Sequence, residues 1–493
     1  MSEAGGVAGR RPTGIPAKAS QQGDAPPPAS PVVAEARCTD RVDFWARIIT
    51  PLSLVLIIIG AVLTYASLQS MMEGLRAERW VRLALVACET LMLVNVAALG
   101  WRIILVRRYD PIETCNDEEL PEITVVVPAY NEGKGILDTL SSLVASHYPS
   151  EKLTVIAVDD GSVDDTWQWM QQAANQLGGQ VEVIHCPTNR GKRSALHEGF
   201  LRSSGEVIVT VDSDSVVTPQ ALRHMVSPFV RDPVVGAVAG NVSVWNRNDG
   251  IIPRMLDVSY TYSFDFIRAG QSHLNTVMCT PGALSAYRRA VVMRVLPEWI
   301  NQVFLGRRAN IGEDRAMTNM ILRSGYNALY ESRAVVYTKT PTRYRGLCRM
   351  LLRWARSNVR ETLIMSSFIF RRFRSGPALG ARVNFAVHST NLVLQQVLRG
   401  FTIYCIVVSP AIFGIHIALT TSIVSTIPAV VYALRHRNAN GLWAMPYGLF
   451  WTAGLSWILP YAMLTLRKTS WLTRHTAPKI GAPKGVRLKA IDA

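Results

Sequence analysis

Apolar residues follow two different patterns along this chain, and the change from one to the other divides it into regions. Long, nearly uninterrupted apolar runs lie at 48–68, at about 83–106 and across most of 379–466. At ~1.5 Å per helical residue, a run of roughly 20 residues crosses a bilayer core of ~30 Å. The runs at both ends of the chain therefore predict transmembrane helices.

Between about 110 and 345 the apolar runs are short, and they alternate with amphipathic segments. The expected strands lie at 123–128, 153–158, 181–185, 206–211 and 235–239, and the expected helices at about 134–146, 164–177, 192–203 and 219–228. Since the strand runs are apolar on both faces, this alternation predicts an α/β domain with a mostly parallel sheet. Its ligand crevice is expected at the carboxyl ends of the strands.

These patterns, together with the polar and basic stretches around them, predict six segments. They are a disordered tail at 1–42, a two-helix transmembrane hairpin at 43–108, the α/β domain at 109–345, interfacial amphipathic helices at 346–376, three or four transmembrane helices at 377–468, and a cytoplasmic tail at 469–493. The first tail is rich in Gly, Pro, Ala and Ser and has no apolar period. The segment at 346–376 mixes arginines with apolar residues, which is typical of helices in the membrane interface.

The distribution of charge predicts the orientation of the protein. The chain has 52 Lys and Arg residues against 36 Asp and Glu residues, and Arg107 with Arg108 and Arg467 with Lys468 lie beside apolar runs. Because juxtamembrane bases face the cytoplasm and anionic lipid, we expect a multi-pass protein of the cell (inner or plasma) membrane whose α/β domain is cytoplasmic. The bilayer is the expected partner of these bases. No aromatic residues are interleaved with them, so no nucleic-acid partner is expected.

The seven cysteines are scattered, odd in number and never spaced as Cys-x-x-Cys. This usage argues against a disulfide framework and against a zinc site, and it suits a reducing cytosolic compartment.

The strongest candidate chemistry is the pair Asp212 and Asp214, separated by Ser213, directly after the apolar run at 206–211. Two carboxylates this close repel each other unless a positive group neutralises them. Mg²⁺ or Mn²⁺ prefers oxygen ligands and bridges to phosphate groups. The pair therefore indicates a divalent-cation site at a strand's carboxyl edge, and a turn with exposed acids is the alternative.

Polar groups also follow two earlier strands. Tyr130 and Glu132 come after the strand at 123–128, and Asp160 comes after the next one. Carboxylates in these places accept hydrogen bonds from a nucleobase or ribose, whereas the alternative is a helix N-cap. Their repetition in successive β-α units favours a nucleotide site. Lys192, next to Gly191 at a helix start, suits a phosphate, with a solvated basic turn as the alternative.

Two later motifs complete the set of candidates. Asp314 lies in a predicted loop before a helix at 315–323, where it is either a general base or a helix cap with favourable dipole placement. Arg353 and Trp354 lie in the amphipathic segment and would contact a diphosphate and a sugar ring. On the residues alone, an ordinary aromatic–basic membrane anchor explains the latter pair better.

In this order the motifs resemble those of processive family 2 glycosyltransferases, over about 45–475. The motif 312–315 followed by Thr318 and Asn319, and Arg353-Trp354 followed by Ser357 and 360–361, are most like hyaluronan and chitin synthases. The stretch 471–474 reads Trp-Leu-Thr-Arg and resembles the Trp-Gly-Thr-Arg gating loop of hyaluronan synthases, with Leu in place of Gly.

The resemblance implies a glycosyltransferase-A-type catalytic domain inserted between transmembrane helices. It implies a UDP-sugar donor, a growing β-linked polysaccharide as acceptor, and Mg²⁺ or Mn²⁺ as cofactor. The implied roles are Tyr130, Glu132 and Asp160 on the uridine; Lys192 on the diphosphate; Asp212 and Asp214 on the metal and nucleotide; Asp314 as the base; Arg353 and Trp354 on the diphosphate and acceptor sugar; and Trp471 and Arg474 closing over the substrate.

One position departs from the family pattern Gln-x-x-Arg-Trp, because Met350 stands where the family has Gln. A thioether cannot donate the hydrogen bonds of an amide, so the departure concerns the acceptor side of the site. Two other functions stay open: transfer of a single sugar to a polyprenyl-phosphate lipid, and an inactive membrane scaffold or transporter. The Arg353-Trp354 element argues against the first, and the intact acidic residues argue against the second.

Overall fold

The computed structural model describes residues 79–468, together with seven helical positions scattered between 55 and 66. The predicted tail at 1–42, most of the first apolar run and the tail at 469–493 lie outside the described residues. Trp471 and Arg474, the two residues expected to close over the substrate, are therefore also outside them.

An α/β domain with ten strands follows the first described membrane helix. The strands are β1 Ile123–Ala129, β2 Leu153–Asp159, β3 Val181–His185, β4 Val207–Val211, β5 Ser215–Val217, β6 Val235–Val244, β7 Leu284–Arg288, β8 Val303–Phe304, β9 Arg307–Arg308 and β10 Asn327–Thr338. Eight of them form one sheet in the order β3-β2-β1-β4-β7-β6-β10-β5. The pairs β1–β2, β1–β4, β2–β3 and β6–β10 are parallel, whereas β7 and β5 pair antiparallel with their neighbours.

Helices pack on the sheet within the α/β domain, and further helices precede and follow that domain in the sequence. They are α1 Arg79–Arg107, α2 Ile136–Val144, α3 Thr166–Gln176, α4 Lys192–Arg202, α5 Ala221–Arg231, α6 Ile251–Tyr260, α7 Ile267–His273, α8 Arg289–Ile300, α9 Glu313–Arg323, α10 Tyr344–Ser366, α11 Leu379–Val408, α12 Pro410–His436, α13 Ala444–Phe450 and α14 Ile458–Leu464. A π-helical segment at Thr261–Phe266 joins α6 to α7, and another at Trp451–Leu455 precedes α14.

The central strand β1 explains why the sheet sits between two helix layers. All seven of its residues are buried. Val125 and Val127 belong to the core on one side with Met225, and Val126, between them, belongs to the core on the other side with Phe200. Each such side chain contributes roughly 1.5–3 kcal/mol when it is fully buried. The predicted mostly parallel α/β domain, with strands apolar on both faces, is confirmed.

Three helices in the described part of the chain are long and apolar enough to cross a membrane: Arg79–Arg107, Leu379–Val408 and Phe413–His436. Large apolar side chains on them are exposed, as expected of helices that face lipid. The interrupted stretch from α13 to α14 is shorter, and the number of crossings after 377 stays a prediction.

Two local expectations need correction or refinement. Helix α9 begins at Glu313 and not at 315, so Asp314 lies in the first helical turn and not in a loop. Gly312 precedes it with φ of 69°, a left-handed conformation that glycine adopts without strain. In the amphipathic segment the structure has one long helix, α10, and its residues Arg356 and Arg360 are buried. These two arginines therefore face protein and not lipid headgroups.

Candidate active site at the carboxyl edge of the sheet

The carboxyl ends of β1, β2 and β4 open into a cavity of about 940 Å³. The start of α9, helix α10 and the membrane helix α11 close its other sides. Eight of the predicted site residues line this cavity: Tyr130, Asp160, Lys192, Asp212, Asp214, Asp314, Arg353 and Trp354. The topology thus brings together motifs that lie up to 224 positions apart in the chain, from Tyr130 to Trp354.

Asp160 follows β2 and is held by backbone amides. Its Oδ1 accepts from the Arg190 N–H at 2.9 Å and its Oδ2 accepts from the Gly191 N–H at 2.7 Å. Burial raises the pKa of Asp160, since the residue is only 3% exposed, and the two amides partly offset that increase. Gly161 must lack a side chain, because a Cβ there would lie 2.6 Å from the backbone of Thr188 and Asn189.

Glu132 does not line the cavity, in contrast to its expected place beside the uridine. Its Oε2 accepts a hydrogen bond of 2.8 Å from the Ser213 hydroxyl. Its own backbone N–H donates to the Thr166 hydroxyl at 2.8 Å. Through this bond Glu132 holds Ser213, the residue between Asp212 and Asp214, in place.

Lys192 occupies the position between the acidic motifs. Its ammonium group pairs with the Asp212 carboxylate and lies 3.4 Å from Glu313 Oε1. The side chain is 13% exposed. Burial alone would lower the pKa of Lys192, but Asp212 and Glu313 outweigh it and raise the pKa above its ordinary value. The Lys192 side chain therefore stays positively charged at physiological pH.

The pair of carboxylates fits a divalent cation that is bound together with a phosphate ligand. Asp212 and Asp214 supply hard oxygen donors at the cavity edge, which suits Mg²⁺ or Mn²⁺. In the described part of the chain no group of three or more His, Cys, Asp or Glu side chains is arranged around a metal position. Asp212 and Asp214 would thus supply two carboxylates to a bound cation, and the remaining ligands of Mg²⁺ would have to come from water or a substrate.

Asp314 projects from the first turn of α9. Its Oδ1 accepts from the Arg315 N–H at 2.7 Å. Burial raises the pKa of Asp314, the neighbouring Glu313 raises it further, and Lys192 and Arg353 lower it in part. A carboxylate with a raised pKa is a stronger base, which is what proton abstraction from a hydroxyl needs.

Helix α10 contributes the wall opposite the sheet. The Trp354 ring lies 6.1 Å from the Tyr260 ring and 6.2 Å from the Phe264 ring. Met350 completes this wall, and its sulfur is 3.9 Å from the Tyr260 hydroxyl. The position where the resembling enzymes carry Gln is thus part of an aromatic, mostly apolar surface.

Several cavity residues were missed by sequence reasoning. Arg268 is 6% exposed, its guanidinium lies 4.3 Å from the Phe264 ring, and its Nη1 has no hydrogen-bond partner among the described residues. Burial lowers the pKa of Arg268. Gly282 lies against Lys192 and Asp212, because a Cβ there would be 2.5 Å from Lys192 Nζ and 3.4 Å from Asp212 Oδ1. Gly282 belongs to the stretch Cys279-Thr280-Pro281-Gly282-Ala283-Leu284, which carries little information alone, and Arg268 lies in no motif.

Comparison with known proteins agrees with this arrangement. The family described as "Glycosyltransferase like family 2" matches residues 121–357. An N-acetylglucosaminyltransferase of Rhizobium meliloti (strain 1021) is 30% identical over 379 residues, which cover 76% of this chain and 86% of that protein. A hyaluronan synthase of Streptococcus pyogenes is 30% identical over 366 residues, which cover 72% and 83% respectively.

A solved structure shares the fold. The mannosyltransferase PcManGT from Pyrobaculum calidifontis, in complex with GDP-Man and Mn²⁺, superposes with a TM-score of 0.50 at 20% identity. The match covers 74% of this chain and 98% of that one. At this identity the likeness concerns the fold.

Proposed function

This chain belongs to glycosyltransferase family 2, and we propose that it is a membrane-embedded inverting transferase that polymerises a β-linked, hyaluronan- or chitin-like polysaccharide from UDP-sugars. One observation carries the proposal. A candidate base, Asp314, shares one cavity with the acidic pair Asp212 and Asp214 and with the cation of Lys192. This is the combination needed to activate an acceptor hydroxyl beside a departing diphosphate.

On the donor side, Lys192 and Arg353 would contact the diphosphate, with Asp160 and Tyr130 on the uridine. Asp212 and Asp214 would hold Mg²⁺ or Mn²⁺, and a bound divalent cation offsets the negative charge on a departing nucleotide diphosphate. The mannosyltransferase PcManGT was solved in complex with Mn²⁺, which supports a cation of this kind. In many enzymes, preorganised positive groups that face developing charge account for most of the rate acceleration.

On the acceptor side, Asp314 would take the proton from an acceptor hydroxyl. The hydroxyl oxygen then bonds to C1 of the donor sugar as the bond from C1 to the diphosphate oxygen breaks. UDP leaves with the electron pair, and the proton remains on Asp314. Since the attack comes from the face opposite the leaving group, an α-linked donor gives a β-linked product in a single displacement.

The cavity also extends to the membrane helices, which supports coupling of synthesis to export. His388 and Leu392 of the membrane helix α11 are among the residues that line it, as is Leu459 of the short helix α14. A product that leaves Asp314 in this direction would enter the space between the spans. By the distribution of basic residues we place the catalytic domain on the cytoplasmic side, where UDP-sugars are available.

A donor screen in membrane vesicles tests the proposal. Vesicles containing the protein would be supplied with UDP-sugars singly and in pairs, with UDP release as the readout and a sizing gel for the product. We expect UDP release with at least one donor or pair and a ladder of polymer lengths. Absence of turnover with every donor would support an inactive scaffold or transporter instead.

One observation favours a second candidate, transfer of a single sugar to a polyprenyl-phosphate. Met350 makes the acceptor wall apolar where a hydrogen-bonding amide was expected. A polyprenyl chain suits such a wall better than a polysaccharide does. The sizing gel separates the two functions, because a single lipid-linked product without a ladder would support the lipid acceptor.

A further inference from the structure

We propose that Glu361 is a positioning residue that holds the proposed base and the acceptor-side helix in register, an inference that rests on the role proposed for Asp314. Glu361 lies on α10, about two helical turns after Arg353 and Trp354. It is 0% exposed and is not among the residues that line the active-site cavity. It lines instead a separate cavity of about 340 Å³ with Gln302 and Asn319, so its effect on a substrate bound beside Asp314 must pass through other residues.

The Glu361 carboxylate gathers donors from three parts of the fold. Oε1 accepts from Arg360 Nε at 2.9 Å and from Gln302 Nε2 at 3.1 Å, and Oε2 accepts from Asn319 Nδ2 at 3.0 Å. Arg360 belongs to α10, Gln302 follows α8, and Asn319 belongs to α9. We call these four residues the Glu361 cluster. A buried carboxylate with this many donors fixes the elements that carry them, because breaking any bond leaves a buried polar group unsatisfied.

The Glu361 cluster reaches the segment immediately before Asp314. Arg360, held by Glu361, donates from Nη2 to the carbonyl of Ile311. Gly312 follows in the left-handed conformation, and a Cβ there would lie 2.3 Å from Ser357 Cβ of α10. The turn that starts α9 is thus pinned against α10 by a hydrogen bond on one residue and by close packing on the next.

A second arm of the network reaches the diphosphate side. Arg193, next to Lys192, donates from Nη1 to Gln302 Oε1 and to the Trp299 carbonyl, both at 2.9 Å. The Trp299 indole N–H in turn donates to the Glu313 carbonyl at 2.9 Å. Gln302 therefore links two helices. Its Oε1 accepts from Arg193 on α4, next to Lys192, and its Nε2 donates to Glu361, which also accepts from Asn319 on α9, the helix of Asp314.

This connectivity predicts a specific kinetic consequence. Attack on C1 needs the acceptor hydroxyl, Asp314 and the donor in one geometry, and a displacement of ~1 Å can cost ~100-fold in rate. The proposed uridine contacts at Asp160 and Tyr130 lie on other elements, at the ends of β2 and β1. On the diphosphate side, Arg193 keeps its hydrogen bonds to the Trp299 carbonyl and to Gln302 Oε1 when only Glu361 is changed, so the helix that carries Lys192 stays held. Loosening the Glu361 cluster should therefore lower kcat and leave the binding of UDP nearly unchanged.

The test compares two buried carboxylates in the full-length protein in membranes. Glu361→Gln keeps the shape of the side chain but replaces one accepting oxygen by an amide N–H, which cannot accept from Arg360, Gln302 or Asn319. Glu331→Gln is the matched control: Glu331 is 1% exposed, accepts from the backbone N–H groups of Ile112 and Arg333 at 3.0 Å each, and lies away from the cavity on β10. We expect E361Q to lower kcat by about 10- to 100-fold with the Kd for UDP within about twofold of wild type, and E331Q to leave kcat within about twofold.

A second measurement needs no turnover. Hydrogen exchange of the amides at 311–315 should be faster by at least about tenfold in E361Q and unchanged in E331Q. Asn319→Ala, which removes the donor to Glu361 Oε2 and leaves both the charge of Glu361 and the bonds of Arg193, should give the same signs with smaller size and serves if E361Q fails to fold. Equal kcat in E361Q and E331Q, or unchanged exchange at 311–315, would overturn the proposal. If no donor gave turnover but exchange at 311–315 were faster in E361Q, the proposed function would be rejected. The role of Glu361 in positioning the start of α9 would be retained.

Discussion

Replacing Asp314 by Asn is the most direct test of the chemistry, because the change removes a charge and a proton acceptor with little change in shape. The amide oxygen of Asn can still accept the hydrogen bond of 2.7 Å from the Arg315 N–H, so the first turn of α9 should persist. Lys192 keeps its contacts with Asp212 and Glu313. The donor site therefore loses none of the groups proposed to contact UDP.

The expected loss is set by general-base catalysis. A positioned base contributes about 10²–10⁴ in rate, which corresponds to about 2.7–5.4 kcal/mol of barrier. Because the Asp314 carboxylate is the group in the cavity whose pKa is raised by burial and by Glu313, we expect a loss in the upper part of this range. The Kd for UDP should stay within about threefold, since the change removes only one negative charge near the diphosphate side.

The pH profile gives an independent readout of the same assignment. The base must be ionised, so wild-type kcat should be present above the pKa of Asp314 and lost as the pH falls through it. Since burial and Glu313 raise that pKa, the acidic limb should lie above the ordinary range of an aspartate. The limb should be missing from the residual activity of D314N.

The assay is UDP release from vesicles over a pH series, with calorimetric or fluorescent measurement of UDP binding on the same preparations. D314N activity within tenfold of wild type would show that another group takes the proton. Loss of UDP binding in D314N would instead place Asp314 in the donor site. Either result would remove the base assignment on which the inverting mechanism depends.

Three further predictions concern residues around this centre. Glu313→Gln should move the acidic limb of kcat to lower pH, because the like charge that raises the pKa of Asp314 is gone, and a pH series shows the shift directly. Gly282→Ala should weaken UDP binding by about tenfold, or about 1.4 kcal/mol, because the new Cβ displaces Lys192, whereas Gly376→Ala, with no atom within 4 Å, should not. Met350→Gln should leave the Kd for UDP unchanged and alter product length on a sizing gel. A buried amide without a partner would also lower the free energy of unfolding by about 1–3 kcal/mol, which a lower Tm would show.

The parallel half of the sheet could be predicted from sequence because its strands are buried on both faces. The runs that become β1, β2 and β4 are nearly continuous in apolar residues, and β1 is buried at every position. A run of that kind is informative without any alternation. The predicted glycosyltransferase-A-type fold is confirmed, and the solved mannosyltransferase shares it.

The other half of the sheet depends on contacts that leave little local signal. β7 is five residues long and lies antiparallel between β4 and β6. β10 carries charged residues inside its run and shifts register between Glu331 and Val335. β7 has only five residues, and in β10 the apolar stretch at 334–337 is separated from the start of the strand by Glu331, Ser332 and Arg333. Their places follow from pairing with distant strands, which a local reading of the chain does not contain.

The same distinction holds at the site. The place of Asp212 and Asp214 in the cavity could be predicted because two carboxylates directly after an apolar strand form a local pattern, and their role in holding a cation stays a prediction. The role of Glu132 could not be found, because its partner Ser213 lies 81 positions away in the chain. The α9 start was misplaced by two residues, since a glycine in the left-handed conformation is a weak signal for a helix N-terminus.

Helix α10 has a clear local sequence pattern, but its position depends on contacts with distant residues. The proposed acceptor side is therefore harder to predict than the proposed donor side. The arginines of α10 read as lipid-facing charges, yet Arg360 is 2% exposed and paired with Glu361. Buried charges of this kind are costly unless they are fully hydrogen-bonded, so their presence points to a geometric requirement. The proposed uridine contacts and the acidic pair sit at strand ends, where the sheet fixes them, whereas Trp354 and Met350 of the proposed acceptor wall sit on a helix that the Glu361 cluster holds in place. Variation at Met350 is therefore expected to affect the proposed acceptor side without disturbing the proposed donor contacts at the strand ends.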